Sequence, residues 1–197
     1  MKHINRILIV AISFFAFVGL AQAVTPGAYA GLGLGYSSLS NFSDATKYGS
    51  NGGLGGRVFA GYNFNSSFGL EANYAKYATT SYVADNESDL TSSYSLNTIS
   101  VVGKLYFPLN NSFDLYVLFG AAQANGNGSI MIDSTRLTSS STHAVVPVAG
   151  LGGSYTINSY LSTTIEYSRA GGDDGSDTHI GIPESNLLTL SLICHLG

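Results

Sequence analysis

The chain has 197 residues, of which 10% are charged, with a net charge of −4 at pH 7, 24 glycines, 13 tyrosines, no tryptophan and one cysteine. An acidic balance gives no electrostatic footprint for nucleic acid. A single thiol excludes an internal disulfide and a paired-cysteine metal site.

The first 23 residues have the layout of an export signal. Lys2 and Arg6 precede an almost wholly apolar run over 7–20, and Ala21-Gln22-Ala23 supplies the small residues a signal peptidase accepts, so cleavage is expected after Ala23. The apolar core is too short for a membrane helix. Residues 24–197 are expected to form one domain, with six lysines and arginines against twelve acids, a net of −6. No later stretch approaches the length of a membrane helix, so a membrane-spanning domain would have to cross as strands.

Eight segments alternate with period two: 28–37, 54–64, 68–79, 94–107, 113–123, 143–156, 161–168 and 187–196. Most have the 9 to 12 residues that a tilted strand needs to cross a hydrocarbon layer. The connections alternate too. Those at 65–67, 108–112 and 157–160 are tight, whereas 38–53, 80–93, 124–142 and 169–186 are long, polar and rich in Ser, Asn, Asp and Gly. Short turns at one end and long loops at the other predict an all-β fold, an eight-stranded antiparallel up-and-down transmembrane barrel with its loops outside.

The sign of the alternation separates this from a soluble barrel. In the second segment Leu54, Val58, Ala60 and Tyr62 oppose Gly55, Arg57 and Gly61. In the third, Phe68, Leu70 and Tyr74 oppose Gly69, Glu71 and Asn73. In the fourth, Ile99, Val101 and Leu105 oppose Ser100, Val102 and Lys104; in the seventh, Ile165 and Tyr167 oppose Thr164 and Glu166. One parity is continuously apolar. The other holds small residues, hydroxyls and four mid-strand charges: Arg57, Glu71, Lys104 and Glu166. Turning Lys104 toward lipid would cost roughly 2–4 kcal/mol near the midplane, so the charged parity is assigned to the lumen. Two cations and two anions form the neutral set that a desolvated interior requires. Tyr36, Tyr62, Tyr74 and Tyr167 lie toward strand ends on the apolar parity, where an aromatic girdle belongs.

These residues resemble the OmpA-like transmembrane domain of Gram-negative outer-membrane proteins. The blocks AGYNFNSSFGLEANY (60–74), GKLYFPLNNSFDLYVLFGAA (103–122), GGSYTINSYLSTTIEYS (152–168) and DTHIGIPESNLLTLSLICHLG (177–197) carry the likeness. The resemblance implies a barrel whose lumen is plugged by side chains, with Glu71 and Lys104 as the lumenal acid and base and Glu166 as a second acid. Leu118 and Thr164 stand where the family has lumenal arginines; Arg57 can supply a positive charge from another strand. The resemblance also implies insertion by the outer-membrane assembly machinery, although Leu196 stands in place of the family's terminal aromatic. The peptidoglycan-binding domain of many relatives is not expected in this chain.

Other chemistries are weighed against this frame. Rearrangement of the four charges could open a narrow ion path. A lipid A-modifying enzyme would need a His with a Ser or acid on the outer surface, and His143, after Ser139 to Thr142, is the nearest approach, without an acid on its face. Asp173, Asp174, Asp177 and His179 in the last loop could ligate a divalent cation, but their spacing lacks the oxygen cage of a calcium loop, so a solvated acidic loop is expected, with no metal or cofactor. Nine acids across the four loops (Asp44, Asp85, Glu87, Asp89, Asp133, Asp173, Asp174, Asp177 and Glu184) make the outer surface negative. Its expected partners are lipid, lipopolysaccharide through bridging cations, and a basic host or phage surface protein. Cys194 falls on the lipid-facing parity, where a neutral thiol is inert. The expected function is a non-enzymatic, structural or surface role in the outer membrane, with adhesion as the alternative.

Overall fold

The computed structural model describes residues 24–40, 52–83, 90–132, 135–172 and 182–196. Residues 1–23 lie outside them, as do the parts of the long connections at 41–51, 84–89, 133–134 and 173–181.

Nine strand segments follow in order: β1 (Gly27–Ser40), β2 (Gly52–Asn63), β3 (Phe68–Lys76), β4 (Thr80–Val83), β5 (Leu90–Pro108), β6 (Phe113–Ile132), β7 (Thr135–Asn158), β8 (Leu161–Ala170) and β9 (Glu184–His195). All pairings are antiparallel and, apart from β1 with β9 and β3 with β5, join sequence neighbours. Pairing of β3 with β5 closes the sheet. β4 continues the line of β3 along β5, so the nine segments occupy eight positions of one closed up-and-down barrel. Apart from the β2–β3 seam past Gly56↔Lys76, closure pairs neighbouring strands around the barrel, the condition for crossing a hydrocarbon layer with strands.

The tight turns form where the sequence predicts them, each organised by an asparagine. Asn65 Oδ1 accepts from the amides of Ser67 and Phe68 at 2.8 and 2.9 Å, and Asn110 Oδ1 from Ser112 and Phe113 at 2.9 Å each. Asn158 Oδ1 accepts from Tyr160 at 2.9 Å. An Asn side chain that bonds its own backbone two or three residues on mimics a backbone turn and brings two strands together.

Parity is inverted relative to a water-soluble barrel. Leu54, Phe119, Val145 and Leu190 are 78, 71, 77 and 66% exposed, whereas Glu71, Lys104 and Glu166 are 0, 1 and 1% exposed. Tyr36, Tyr62, Tyr74 and Tyr167 all face outward.

Two expectations are corrected. The segment 124–142 is not a long loop, since β6 runs to Ile132 and β7 begins at Thr135. Apolar alternation fades there because the residues are small or polar even on the buried face (Ala124, Gly126, Ser129, Thr142), yet the ladder continues from Ala124↔Ala144 to Ser129↔Ser139, with Ser93 and Ser129 hydroxyls bonded at 2.8 Å. Strand pairing can therefore persist where the hydrophobic signal that reveals strands is absent. The segment 68–79 is not one strand either. It breaks after Lys76, and the β5 register shifts from Lys76↔Asn97 to Thr80↔Tyr94, leaving one extra residue as a bulge.

Candidate functional site

Four strands bring the four mid-strand charges to one level of the lumen: Arg57 from β2, Glu71 from β3, Lys104 from β5 and Glu166 from β8. Lys104 Nζ lies 2.5 Å from Glu71 Oε2 and 3.5 Å from Glu166 Oε2. Arg57 Nη1 donates to Glu166 Oε1 and lies 3.6 Å from Glu71 Oε1. Each cation thus faces both acids, closing a neutral ring whose side chains are at most 2% exposed.

Two tyrosines and a phenylalanine complete it, and the alternation pattern gave no reason to single them out. Tyr29 Oη donates to Glu71 Oε2 at 3.0 Å, and Tyr116 Oη to Glu166 Oε2 at 2.8 Å. The Phe59 ring lies 4.4 Å from Arg57 Cζ and 5.5 Å from Lys104 Nζ, and the Tyr116 ring lies 4.8 Å from Lys104 Nζ. Aromatic faces and phenolic donors replace part of the hydration that burial removes. Their room comes from glycines directly across the ladder, Gly61 opposite Tyr29 and Gly152 opposite Tyr116. A Cβ at either glycine would collide with the facing ring. The signal available in sequence was a glycine on the lumenal parity of one strand and a tyrosine on that of its neighbour.

Two small spaces lie in the lumen, one on either side of the ring. Toward the tight turns a cavity of about 20 Å³ is lined by Asn63, Lys104, Asp114, Thr164 and His195 among others. On the other side a cavity of about 10 Å³ meets Asn73, Ser100, Leu118, Val148 and Glu166. Each is on the scale of one water molecule. At and beyond the second cavity Leu96, Val102, Leu118, Val146, Val148 and Leu187 belong to one buried apolar cluster, with buried Ser37, Thr98, Ser185 and Thr189 beside it. The expected interior of small residues, hydroxyls and four charges is therefore incomplete. It also contains this apolar layer and a fifth charge, Asp114, 1% exposed near the tight-turn end.

The same cavity brings together a Ser–His pair, with Ser162 Oγ 2.9 Å from His195 Nε2. Nucleophilic catalysis needs an acid orienting the other ring nitrogen. Asp114 borders the cavity, but its carboxylate oxygens make no hydrogen bond to protein, so no triad is assembled among the described residues. His143 faces outward on β7, opposite Asn125. Asp173, Asp174, Asp177 and His179 lie outside the described residues, and among the described residues no three His, Cys, Asp or Glu side chains form a metal site. Cys194 is free and exposed.

The family model described as outer membrane protein beta-barrel domain matches residues 7–187, and the chain belongs to that family. Among solved structures, Neisserial surface protein A shares 16% identity at a TM-score of 0.63, covering 86% of this chain and 97% of that one. The attachment invasion locus protein Ail of Yersinia pestis, solved in complex with the heparin analogue sucrose octasulfate, shares 14% at 0.55, covering 86% and 99%. OprG of Pseudomonas aeruginosa shares 13% at 0.54, covering 90% and 100%. At these identities the likeness is one of fold. The comparison with curated proteins gave no match.

Proposed function

We propose that this outer-membrane β-barrel is a non-enzymatic surface protein: its lumen is closed by the ion ring and the apolar layer, and its working part is the sheet projecting beyond the membrane. The observation that carries this reading is the length of β7. Its residues 135–147 precede the first pairing with β8, at Val148↔Ala170. At 3.2–3.4 Å per residue this is roughly 40 Å of strand with β6 as its partner, longer than the hydrocarbon core is thick. A barrel serving only to fill membrane needs no such extension. The tight turns face the periplasm and the extended strands face outward, as in barrels of this class.

Adhesion is the second reading, favoured by the same extension. Ail's polyanionic ligand does not carry over readily, because the outer connections hold nine acids and only Lys47, Arg136 and Arg169 as lysines or arginines. An uncharged or basic partner suits them better.

The test replaces residues 126–142 by a two-residue turn joining the Asn125↔His143 pair. The shortened chain should keep the fast gel mobility of an unboiled barrel and lose binding to a basic or neutral host-matrix protein. Unchanged binding would reject the projecting sheet as the working part. A protease site placed at 133–134 should be cut on intact cells; cutting only after the outer membrane is permeabilised would reject the orientation. Planar-bilayer recording should give a flat trace for the parent chain and for Lys104→Ala, since the apolar layer survives that change. Steady current from the parent would reject a closed lumen.

A further inference from the structure

Among the described residues the barrel wall is not closed by strand pairing everywhere. β2 and β3 pair from Asn63↔Gly69 to Gly56↔Lys76 and no further, because the third barrel position is interrupted over 77–79 and β4 resumes on β5. Past Gly56, β2 offers Gly55, Leu54 and Gly53 to the seam, a single side chain among three residues. One hydroxyl spans the gap: Ser37 Oγ accepts from the Ala78 amide at 2.8 Å and donates to the Gly53 carbonyl at 3.3 Å. The result is a groove of about 590 Å³. Its lining joins outward-facing Leu34, Leu54, Val58 and Tyr74 to Arg57 and Tyr77, which face the lumen.

Lys76 stands on the border of this groove, exposed, near the end of β3 remote from the tight turns. Arg57 and Lys104 are held in the lumenal ring, and Arg169 pairs with Glu184. Of the four lysine and arginine side chains described, Lys76 alone has no ion pair.

We propose that the groove seats an acyl chain of a phosphorylated glycolipid of the outer leaflet, the lipopolysaccharide class, with Lys76 meeting a phosphate on its head group. The proposal rests on the outward orientation of the projecting sheet, which places Leu54 and Lys76 at outer-leaflet depth. An apolar groove opening onto hydrocarbon takes a chain, and a lone cation at its rim takes an anion. A glycolipid with several chains and phosphates on one head group satisfies both contacts with one molecule.

The test uses the protein in phosphatidylcholine nanodiscs supplemented with lipid A, read by native mass spectrometry. One lipid A should be retained per barrel. Lys76→Ala should lower retention roughly fivefold, the effect of one surface cation on an anionic lipid. Ala78→Phe, which fills the groove, should abolish retention, while Leu151→Phe on the opposite wall should leave it unchanged. Gel mobility before and after boiling establishes that each variant is folded; should Ala78→Phe fail to fold, Lys76→Glu decides in its place. Equal retention of phosphatidylglycerol, or retention indifferent to Lys76, overturns the proposal. A hairpin cut from outside together with no retained lipid A removes this assignment and leaves the surface reading standing, whereas a hairpin shielded on intact cells removes the premise of both.

Discussion

At the waist of the barrel Arg57, Glu71, Lys104 and Glu166 fill the lumen with charge, whereas toward the projecting sheet Leu96, Val102, Leu118, Val146, Val148 and Leu187 fill it with hydrocarbon. The two layers occlude the same tube by opposite means. In the apolar layer each side chain contributes nearly independently, through burial and close packing. In the ring no member is tolerable alone, because the desolvation cost of one charge is offset only by the others. The layers therefore differ in how damage spreads, since a lost methyl is a local cavity while a lost carboxylate leaves two cations facing one acid.

The largest effect is expected from Glu166→Gln, which removes the partner that Arg57 and Lys104 share with Glu71. Breaking a buried pair costs about 3–5 kcal/mol, measurable as a lower urea midpoint when unfolding in micelles is followed by gel mobility. Leu118→Ala should cost about 2–5 kcal/mol in the same assay, toward the low end if neighbours collapse into the space. A Leu118 penalty well above that of Glu166→Gln would reverse the comparison. Tyr116→Phe keeps the ring shape and deletes one hydrogen bond to a carboxylate, for an expected loss of about 1.5–3 kcal/mol. Gly152→Ala should reproduce most of that loss by pushing the Tyr116 ring away from Glu166. The smallest effect is expected from the double change Glu71→Leu with Lys104→Met. A pair replaced by apolar groups of similar volume is often near neutral, so the double variant should be more stable than either single one. A double variant as damaged as the sum of its parts would show that the ring does not act as a unit.

Legibility from sequence tracked the physics that each feature obeys. The Asn-centred turns are local, and their positions at 65–67, 108–112 and 157–160 could be read directly. The inversion of apolar and polar parity is a property of each strand taken alone, so it too was visible, and with it the closed eight-stranded barrel. The extension of β6 and β7 was missed because its buried face is built of Ala, Gly, Ser and Thr, which give no apolar alternation. Asp114 shares the parity of Tyr116 and Leu118, but its place next to a turn made it look solvated. The interruption after Lys76 left a mark that was passed over: Lys76 is a charge on the apolar parity of Leu70 and Tyr74.

By itself the sequence determined which side chains share a face, how many times the chain crosses and where it turns, because these depend on a two-residue period and on contacts within a few positions. Only the tertiary structure decided that Arg57 meets Glu166 across 109 residues, that Tyr29 and Tyr116 cap the two acids through space left by Gly61 and Gly152, and that the β2–β3 seam opens beside Lys76. Those outcomes depend on the stagger between strands as the sheet closes, and closure is a property of the whole ring rather than of any segment.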